Sequence, residues 1–379
     1  MKLIKKIMRP LHKWGALITG LILIIVCSTG AVLSFEQELI AFTTRGYYAQ
    51  NAHNVSINVE KLYAAIQRQF PGEQIMSLTI PTDSRRNAVV VFSSQPGMQV
   101  YVNPNTAQKE GSFTYESSFF STVRQLHRFL LMGPKGRIIV GTCSLVFALL
   151  LISGLLIRIP SSWNQVPAMI RITKGANSFR RIYDLHSAPG IFALLFLLAM
   201  SLTGPYWSFG WYNKMVGGLF GLNVSPGKSH RQASDNLSIQ MKELTADDFK
   251  LIATNLQKLN QTDKPSAREY QLTFPTARED KYVISSIPQK RIHSRQADTY
   301  TYSLNDGGAL LSKSVFRDNN LKQTFRMWLF AVHTGSWGGL ITKILYAVSV
   351  LVGASLPVTG YMMWWKKRRK SNKTKNASR

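Results

Sequence analysis

The apolar residues of the chain concentrate in four long runs that are separated by polar stretches. The runs cover residues 14–35, 138–159, 188–207 and 340–365, and none of them contains an acidic residue. A helix needs about 20 residues to cross a bilayer, and a backbone in lipid must satisfy its own hydrogen bonds. The pattern therefore predicts a membrane α-helical fold with four transmembrane helices.

The first run begins a segment that the chain contains twice. Residues 12–35 read HKWGALITGLILIIVCSTGAVLSF, and residues 186–209 read HSAPGIFALLFLLAMSLTGPYWSF. Aligned without a gap, the copies share His12/His186, Leu21/Leu195, Leu23/Leu197, Thr29/Thr203, Gly30/Gly204, Ser34/Ser208 and Phe35/Phe209. A second correspondence relates His127 to His333 and Gly154 to Gly360. We predict two parallel repeats, each made of a transmembrane helix, an outer α+β unit and a second transmembrane helix.

Each long connection between spans has the pattern of a helix followed by short strands. The first has a helical pattern at 58–70 and alternating runs at 75–80, 87–93 and 98–102, and turn residues separate these runs. The second has a helical pattern at 245–259 and strand patterns at 269–274, 281–286 and 298–304. We predict a helix on a small antiparallel sheet in each; the pattern leaves residues 215–236 unassigned.

These patterns divide the chain into eight parts. They are transmembrane helix 1 (1–35), outer domain 1 (36–118), an interfacial helix with transmembrane helix 2 (119–160), a link (161–185), transmembrane helix 3 (186–209), outer domain 2 (210–320), transmembrane helix 4 (321–365) and a basic tail (366–379).

The positive charge of the chain predicts its orientation. The net charge is +27, from 46 basic and 19 acidic residues, and much of it lies in residues 2–13, 158–181 and 366–379. Four crossings place these segments on one side, and the positive-inside rule makes that side cytoplasmic. We expect both termini in the cytoplasm and both outer domains in the periplasm. Since the charge flanks the spans, we expect membrane lipid and no nucleic acid as its partner.

Four histidines begin the four apolar segments, and the topology sorts them into two depths. His12 and His186 lie at the cytoplasmic side, and His127 and His333 lie at the outer side. Parallel repeats bring equivalent residues face to face about an axis along the membrane normal, and opposed neutral imidazoles suit axial ligation of a haem iron. Because the sequence has no C-x-x-C-H motif, we predict haem b, two per chain.

Simpler interpretations of these residues stay open. A single histidine at a helix end is more often an interfacial polar residue, and a non-haem metal is the other alternative, although two histidines per level are few ligands for zinc. Three further histidines have no counterpart in the other repeat, and we interpret them as surface residues: His53, His230 and His293.

Basic residues beside the histidines are candidates to bind haem propionates. They are Arg9, Lys13, Arg180 and Arg181 on the cytoplasmic side and Arg124, Arg128 and Arg326 on the outer side. An ordinary role as interface anchors accounts for them equally well. The glycines of the spans give room for close helix packing or for a porphyrin edge, and no catalytic residue is assigned.

Several motifs resemble the PepSY-associated transmembrane proteins of bacterial inner membranes. They are the H-x-W opening at His12 with Thr29-Gly30, the D-L-H at Asp184 to His186, the closing Thr359-Gly360, and the two outer domains, which resemble PepSY domains. Within that family the chain looks most like the siderophore-iron reductases. It departs mildly at Pro189-Gly190 after His186 and at Thr334-Gly335 after His333.

The resemblance implies a di-haem inner-membrane oxidoreductase that passes electrons to a periplasmic acceptor. That acceptor would be a ferric siderophore, whose iron is reduced to Fe(II), and the donor would be a cytoplasmic-side reductant or membrane quinol. The alternative is a non-enzymatic PepSY-type membrane regulator or sensor that acts in peptidase inhibition or signalling. A transporter is disfavoured because no Asp or Glu lies in the four apolar runs.

Overall fold

A computed structural model describes residues 2–47, 58–83, 85–160, 162, 164, 166–222, 240–262, 267–288, 297–315 and 321–377. The chain divides into two compact units. The first, which we call the helical unit, contains Met1–Glu36, Phe119–Gly227 and Phe325–Arg379. The second, the sheet unit, contains Gln37–Ser118 and Lys228–Thr324.

The α-helices of the described residues range in length from 4 to 39 residues. In chain order they are α1 (Lys2–Ser34), α2 (Glu36–Thr43), α3 (Val59–Gln69), α4 (Phe119–Phe129), α5 (Gly133–Arg158), α6 (Pro167–Ile170), α7 (Ser178–Thr203), α8 (Pro205–Ser208), α9 (Gly210–Leu219), α10 (Ala246–Thr262), α11 (Leu321–Thr334) and α12 (Gly339–Ala377). Within the described ranges, 3₁₀ turns lie at Arg45–Tyr47 and Ser336–Gly338.

Four helical segments of the described chain are long and apolar enough to cross a membrane. They are Leu3–Ser34, Gly133–Arg158, Ser178–Ser208 and Ser336–Arg369. Each contains one of the four apolar runs almost completely, so the prediction of four spans is confirmed. The helices extend beyond the runs: α7 begins ten residues before residue 188, and the basic residues 366–377 continue α12 instead of forming a separate tail.

The helical unit has apolar side chains both inside and outside. Its buried cluster includes Leu23, Phe147 and Leu197, whereas Ile18 and Leu195 are 76% and 72% exposed. A water-soluble protein seldom exposes apolar side chains so extensively, but in lipid they meet hydrocarbon. The four helices therefore have an apolar interior and a lipid-compatible exterior.

The described strands of the sheet unit form one antiparallel sheet. They are β1 (Ile75–Pro81), β2 (Ala88–Phe92), β3 (Met98–Val102), β4 (Lys109–Thr114), β5 (Ala267–Thr273), β6 (Lys281–Pro288), β7 (Asp298–Ser303) and β8 (Leu310–Ser314). Their order is β4-β3-β2-β1-β5-β6-β7-β8. Since β1 pairs with β5, from Ser77↔Thr273 to Pro81↔Glu269, the strands of the two outer domains share one sheet, and the prediction of a separate small sheet in each domain is wrong.

The core of the sheet unit also joins the two segments. The Tyr63 ring of α3 lies 5.0 Å from the rings of Phe249 and Phe274, measured between centroids. The helices begin at side-chain caps: Asn58 accepts the amide N–H of Lys61, and Thr245 and Asp248 each accept the other's amide N–H. The unassigned residues 215–222 form the end of α9 and the turn after it, and 223–236 lie outside the described residues.

The seam between β1 and β5 gives the first prediction. Leu272 is 1% exposed and pairs with Leu78 across the seam. Leu272→Ala should cost about 2–5 kcal/mol, because a buried leucine leaves a cavity. Hydrogen exchange of the β1 and β5 amides in the full chain would measure the loss. Leu311→Ala on the edge strand, where the side chain is 46% exposed, is the control and should cost less than about 0.5 kcal/mol; equal losses would contradict the prediction.

Candidate functional site

The structure brings the four span-associated histidines together as two pairs. The imidazole centroids of His12 and His186 are 6.3 Å apart, with ring planes at 85°. Those of His127 and His333 are 6.4 Å apart, with ring planes at 61°. We call these the His12 pair and the His127 pair. Each joins a residue of the first half of the chain to its counterpart in the second.

Each histidine is held by a hydroxyl on a neighbouring helix, through Nδ1. His12 Nδ1 lies 2.9 Å from Ser153 Oγ, and His186 Nδ1 lies 2.8 Å from Thr359 Oγ1. The other pair follows the same arrangement: the Nδ1 to Oγ1 distance is 3.1 Å for His127 and Thr29 and 2.9 Å for His333 and Thr203.

The hydroxyl bonds are reciprocal within each half of the helical unit. His12 of α1 meets Ser153 of α5, and His127, which precedes α5, meets Thr29 of α1. In the second half His186 of α7 meets Thr359 of α12, and His333 of α11, which precedes α12, meets Thr203 of α7. Each pair of helices is thus locked at both of its ends.

The hydrogen-bond directions assign the imidazole tautomers. Each hydroxyl donates its own hydrogen to a carbonyl one turn earlier in its helix: Thr29 to Ile25, Ser153 to Leu150, Thr203 to Ala199 and Thr359 to Ser355. The hydroxyl oxygen therefore accepts, and Nδ1 carries the hydrogen. In His127 the Val26 carbonyl oxygen, 2.9 Å from Nδ1, requires the same tautomer.

This tautomer leaves Nε2 with a free lone pair. Within the part of the chain that the structure describes, each hydrogen bond of these four imidazoles is made through Nδ1. Burial lowers the pKa of His127 and of His333 below the ordinary value of histidine, and the charge of Arg128 adds to the effect at His127. Both rings are therefore neutral at neutral pH, which is the form that binds metals.

A glycine beside each hydroxyl makes room for the imidazole. A Cβ at Gly30 would lie 3.2 Å from His127 Cε1, and one at Gly154 would lie 3.2 Å from His12 Cε1. The corresponding distances are 3.6 Å from Gly204 to His333 and 3.9 Å from Gly360 to His186. The glycines that the sequence assigns to close packing or a porphyrin edge thus lie against the histidine rings.

The connections beside His127 and His333 have left-handed backbone. Leu130 and Leu131, which join α4 to α5, have φ angles of +48° and +59°, an unfavourable conformation for leucine that is typical of strained functional sites. The second half uses Gly335, at φ +72°, where a Cβ would lie 2.5 Å from Tyr346 Cγ. Only glycine fits there, which explains the departure at Thr334-Gly335.

The ring spacing fits a single metal ion between the members of each pair. If one ion bound both rings, two metal–nitrogen bonds of about 2 Å, plus about 1.2 Å from each nitrogen to its ring centre, would separate the two centroids by at most about 6.4 Å. The measured 6.3 and 6.4 Å agree with that separation. Two axial imidazoles are a donor set of haem iron, so the residues present fit the implied group.

The surroundings of the two pairs differ. Beside the His12 pair is a cavity of about 120 Å³, lined mainly by apolar side chains such as Leu17, Tyr361 and Trp364. It is smaller than a porphyrin, so a haem at this level requires side chains of the wall to move. Beside the His127 pair, the Trp207 ring lies 5.3 Å from that of His333, so the second level has an aromatic wall on one side.

The predicted propionate ligands have protein contacts of their own. Arg180 Nε lies 3.0 Å from Asp184 Oδ1, Arg124 Nη2 lies 2.5 Å from Glu36 Oε2, and the Arg128 guanidinium lies 4.9 Å from the Phe129 ring centroid. Two others, Arg9 and Arg326, have exposed side chains. Their role toward propionates stays a prediction. His53, His230 and His293 lie outside the described residues.

Sequence reasoning missed the hydroxyl contacts and the role of Asp184. The signal for the first was present, because each apolar run contains a Ser-Gly or Thr-Gly pair: Thr29-Gly30, Ser153-Gly154, Thr203-Gly204 and Thr359-Gly360. Asp184 is 1% exposed, and its carboxylate accepts the amide N–H of Thr173. It fixes the connection that leads into α7. Among the described residues no group of three or more His, Cys, Asp or Glu side chains gathers around one point.

Comparison with known proteins identifies the family. No curated protein matches the sequence. The family described as PepSY-associated TM region matches residues 9–367, which is nearly the whole chain. The match covers nearly all of the four candidate spans and the strand-rich region between them, so the protein is a multi-pass membrane protein. The chain belongs to the PepSY-associated transmembrane family.

Proposed function

We propose that this protein is a di-haem oxidoreductase of the bacterial inner membrane. It passes electrons from the cytoplasmic side or from membrane quinol to a periplasmic acceptor, and the acceptor that the family resemblance implies is a ferric siderophore. The proposal is carried by one observation: in each of two pairs of Nδ1-protonated imidazoles the ring centroids lie 6.3 or 6.4 Å apart, a spacing that would allow both rings to hold one iron.

The residues of the chain would hold the cofactor and isolate it. Haem b, when bound, accepts and donates one electron at a time. His12 and His186 would hold the haem of one level, and His127 and His333 would hold the other. The buried cluster of Leu23, Phe147 and Leu197 lies in the same four helices and excludes water from them.

The separation of the levels supports transfer across a membrane. His12 and Thr29, the partner of His127, lie near opposite ends of α1. At 1.5 Å of rise per residue they are about 25 Å apart along the helix, which approaches the thickness of about 30 Å of the hydrocarbon core. One pair would thus lie near each face of the membrane.

The proposed orientation follows from charge. The basic segments at 2–13, 158–181 and 366–379 adjoin the same ends of the four spans, and the positive-inside rule makes these ends cytoplasmic. The His12 pair is then at the cytoplasmic face, the His127 pair is at the periplasmic face, and the segments of the sheet unit are periplasmic.

Duplication accounts for the arrangement of the pairs. Helix, helix-and-strand segment and helix follow one another twice in the element order, and the sheet order reads the same from each edge to β1 and β5. We propose that the chain arose as two parallel repeats. Equivalent histidines would then meet across a pseudo-two-fold axis, and the pairing of His12 with His186 and of His127 with His333 supports this origin.

The proposed reaction balances with one electron for each iron. One ferric ion held by the siderophore takes one electron and becomes Fe(II), which the siderophore binds more weakly. A quinol supplies two electrons and releases two protons, so it serves two ferric ions; a cytoplasmic one- or two-electron reductant serves the same purpose.

Spectroscopy of the purified full chain tests the proposal. We expect a Soret band, α and β bands after reduction with dithionite, and two haems per chain. Liposomes with a reductant inside should then reduce an external ferric siderophore only when they contain the protein. Absence of haem after expression with an ample haem supply would refute the oxidoreductase and favour the non-enzymatic PepSY-type regulator.

A further inference from the structure

Four helix hydroxyls make the same set of hydrogen bonds, and helix packing alone does not require a hydroxyl at any of these positions. Ser153, Thr359, Thr29 and Thr203 each donate to their own helix backbone and each accept from a histidine Nδ1. Valine in place of threonine, or alanine in place of serine, would fill nearly the same volume in these apolar helices. The recurrence of a hydroxyl at every one of the four histidines therefore points to the hydrogen bond itself.

We propose that these four hydroxyls are positioning residues that fix Nε2 of each histidine as the haem ligand and hold the reduction potential of each haem low. The inference rests on the proposed function, because it concerns the group that the two pairs would bind. It adds a role for Ser153, Thr29, Thr203 and Thr359 that is separate from ligation.

The physical reason lies in the basicity of the ligand. Metal-bound histidines normally donate their second N–H to an acceptor, which fixes the tautomer and ring orientation and makes the coordinating nitrogen more electron-rich. An electron-rich ligand stabilises ferric iron more than ferrous iron. Each hydroxyl donates its own hydrogen to a backbone carbonyl, so toward Nδ1 it can only accept. Its hydrogen bond should therefore lower the reduction potential at all four sites.

The matched test uses one substitution at each level and one control. Thr359→Val removes the hydroxyl acceptor of His186 and leaves the backbone carbonyl of Leu356 beside the ring. Thr203→Val removes the hydroxyl acceptor of His333 and leaves the backbone carbonyl of Met200. Thr19→Val is the control, because Thr19 is also a span threonine and is 7% exposed, and among the described residues its hydroxyl bonds only the Gly15 carbonyl of its own helix. Spectroscopic redox titration of the purified holoprotein measures the potential of each haem.

We expect each test variant to raise the potential of one haem and leave the other unchanged. A tenfold change in the ratio of ferric to ferrous affinity corresponds to a shift in potential of about 59 mV for one electron. Replacing a group that accepts a hydrogen bond from a metal-bound ligand lowers metal affinity by about 10–100-fold. If the test variants have the same reduction potentials as Thr19→Val, the inference is overturned. The proposed function would still stand in that case, provided that the proteins bind two haems per chain.

Loss of haem is also informative. If Thr359→Val binds one haem fewer, Thr359→Ser should restore it with the original potential, because serine serves the same position at Ser153. If Thr359→Ser does not restore the haem, Thr359 serves helix packing only, and the inference is overturned. If the unmodified protein binds no haem, the proposed function fails, and this inference fails with it.

Discussion

Replacing His186 or His333 with alanine should lower the haem content from two per chain to one. Each residue supplies one of the two facing imidazoles of a pair, and its partner ring lies 6.3 or 6.4 Å away. With one ring removed, the remaining histidine offers a single axial ligand, and the hydroxyl that held the lost ring has no imidazole to accept from. The affinity for haem should fall by well over 100-fold at the altered level.

The same variants should abolish electron transfer across the membrane. Because the two levels are about 25 Å apart along α1, neither of the proposed haems would alone reach both faces, so either substitution would interrupt the proposed path. The pyridine haemochrome assay measures haem per chain, and reduction of an external ferric chelate by reductant-loaded liposomes measures transfer. His186→Ala combined with His333→Ala should bind no haem.

The control is a substitution on the exposed side of α7, the helix that carries His186. Leu195→Ala alters a side chain of α7 that is 72% exposed, and it should keep two haems and full transfer. Loss of both haems from His186→Ala, in a protein whose sheet amides exchange as slowly as before, would contradict two independent levels. Full haem content in either histidine variant would contradict the assignment of the axial ligands.

The sequence predicts the helical part of the fold because its signals are local. The four spans follow from unbroken apolar runs, and the facing of His12 with His186 follows from the internal similarity and the direction of the spans. The edge strands β4 and β8 are different. Their sequences, KEGSFT and LLSKS, are polar or exposed along their length, so no alternation marks them, and they form strands because β3 and β7 offer free edges.

The local sequence pattern could not predict that all the described strands form a single sheet, for another reason. Nothing in the sequence around Leu78 or Leu272 states that β1 pairs with β5, since an inward-facing strand has the same alternation whether its neighbour is near or far in the chain. The contacts between hydroxyls and histidines could be predicted from the sequence only in part. Thr29-Gly30 and its counterparts are visible as dipeptides, but which histidine each one meets depends on helix packing: Thr29 serves His127 and not His12, although His12 is on its own helix.

The glycines beside the hydroxyls give a graded prediction. Alanine at position 30 or 154 would place a Cβ 3.2 Å from the Cε1 atom of a histidine, so the ring must shift by a few tenths of an ångström. Alanine at position 360 would place its Cβ 3.9 Å from His186, which is an ordinary contact. Gly30→Ala and Gly154→Ala should therefore weaken haem binding about tenfold at one level each, and Gly360→Ala should not.

Helix propensity acts in the opposite direction and makes the series decisive. Alanine stabilises a helix interior by about 1 kcal/mol relative to glycine, so Gly360→Ala should raise the thermal stability of the protein with its haems unchanged. Gly30→Ala and Gly154→Ala receive the same backbone benefit, so weaker haem binding there must come from the ring contact. Haem transfer to an excess of apomyoglobin, followed for each variant, measures the affinity. If Gly360→Ala releases haem as readily as Gly30→Ala, these glycines serve helix packing and do not accommodate the imidazoles.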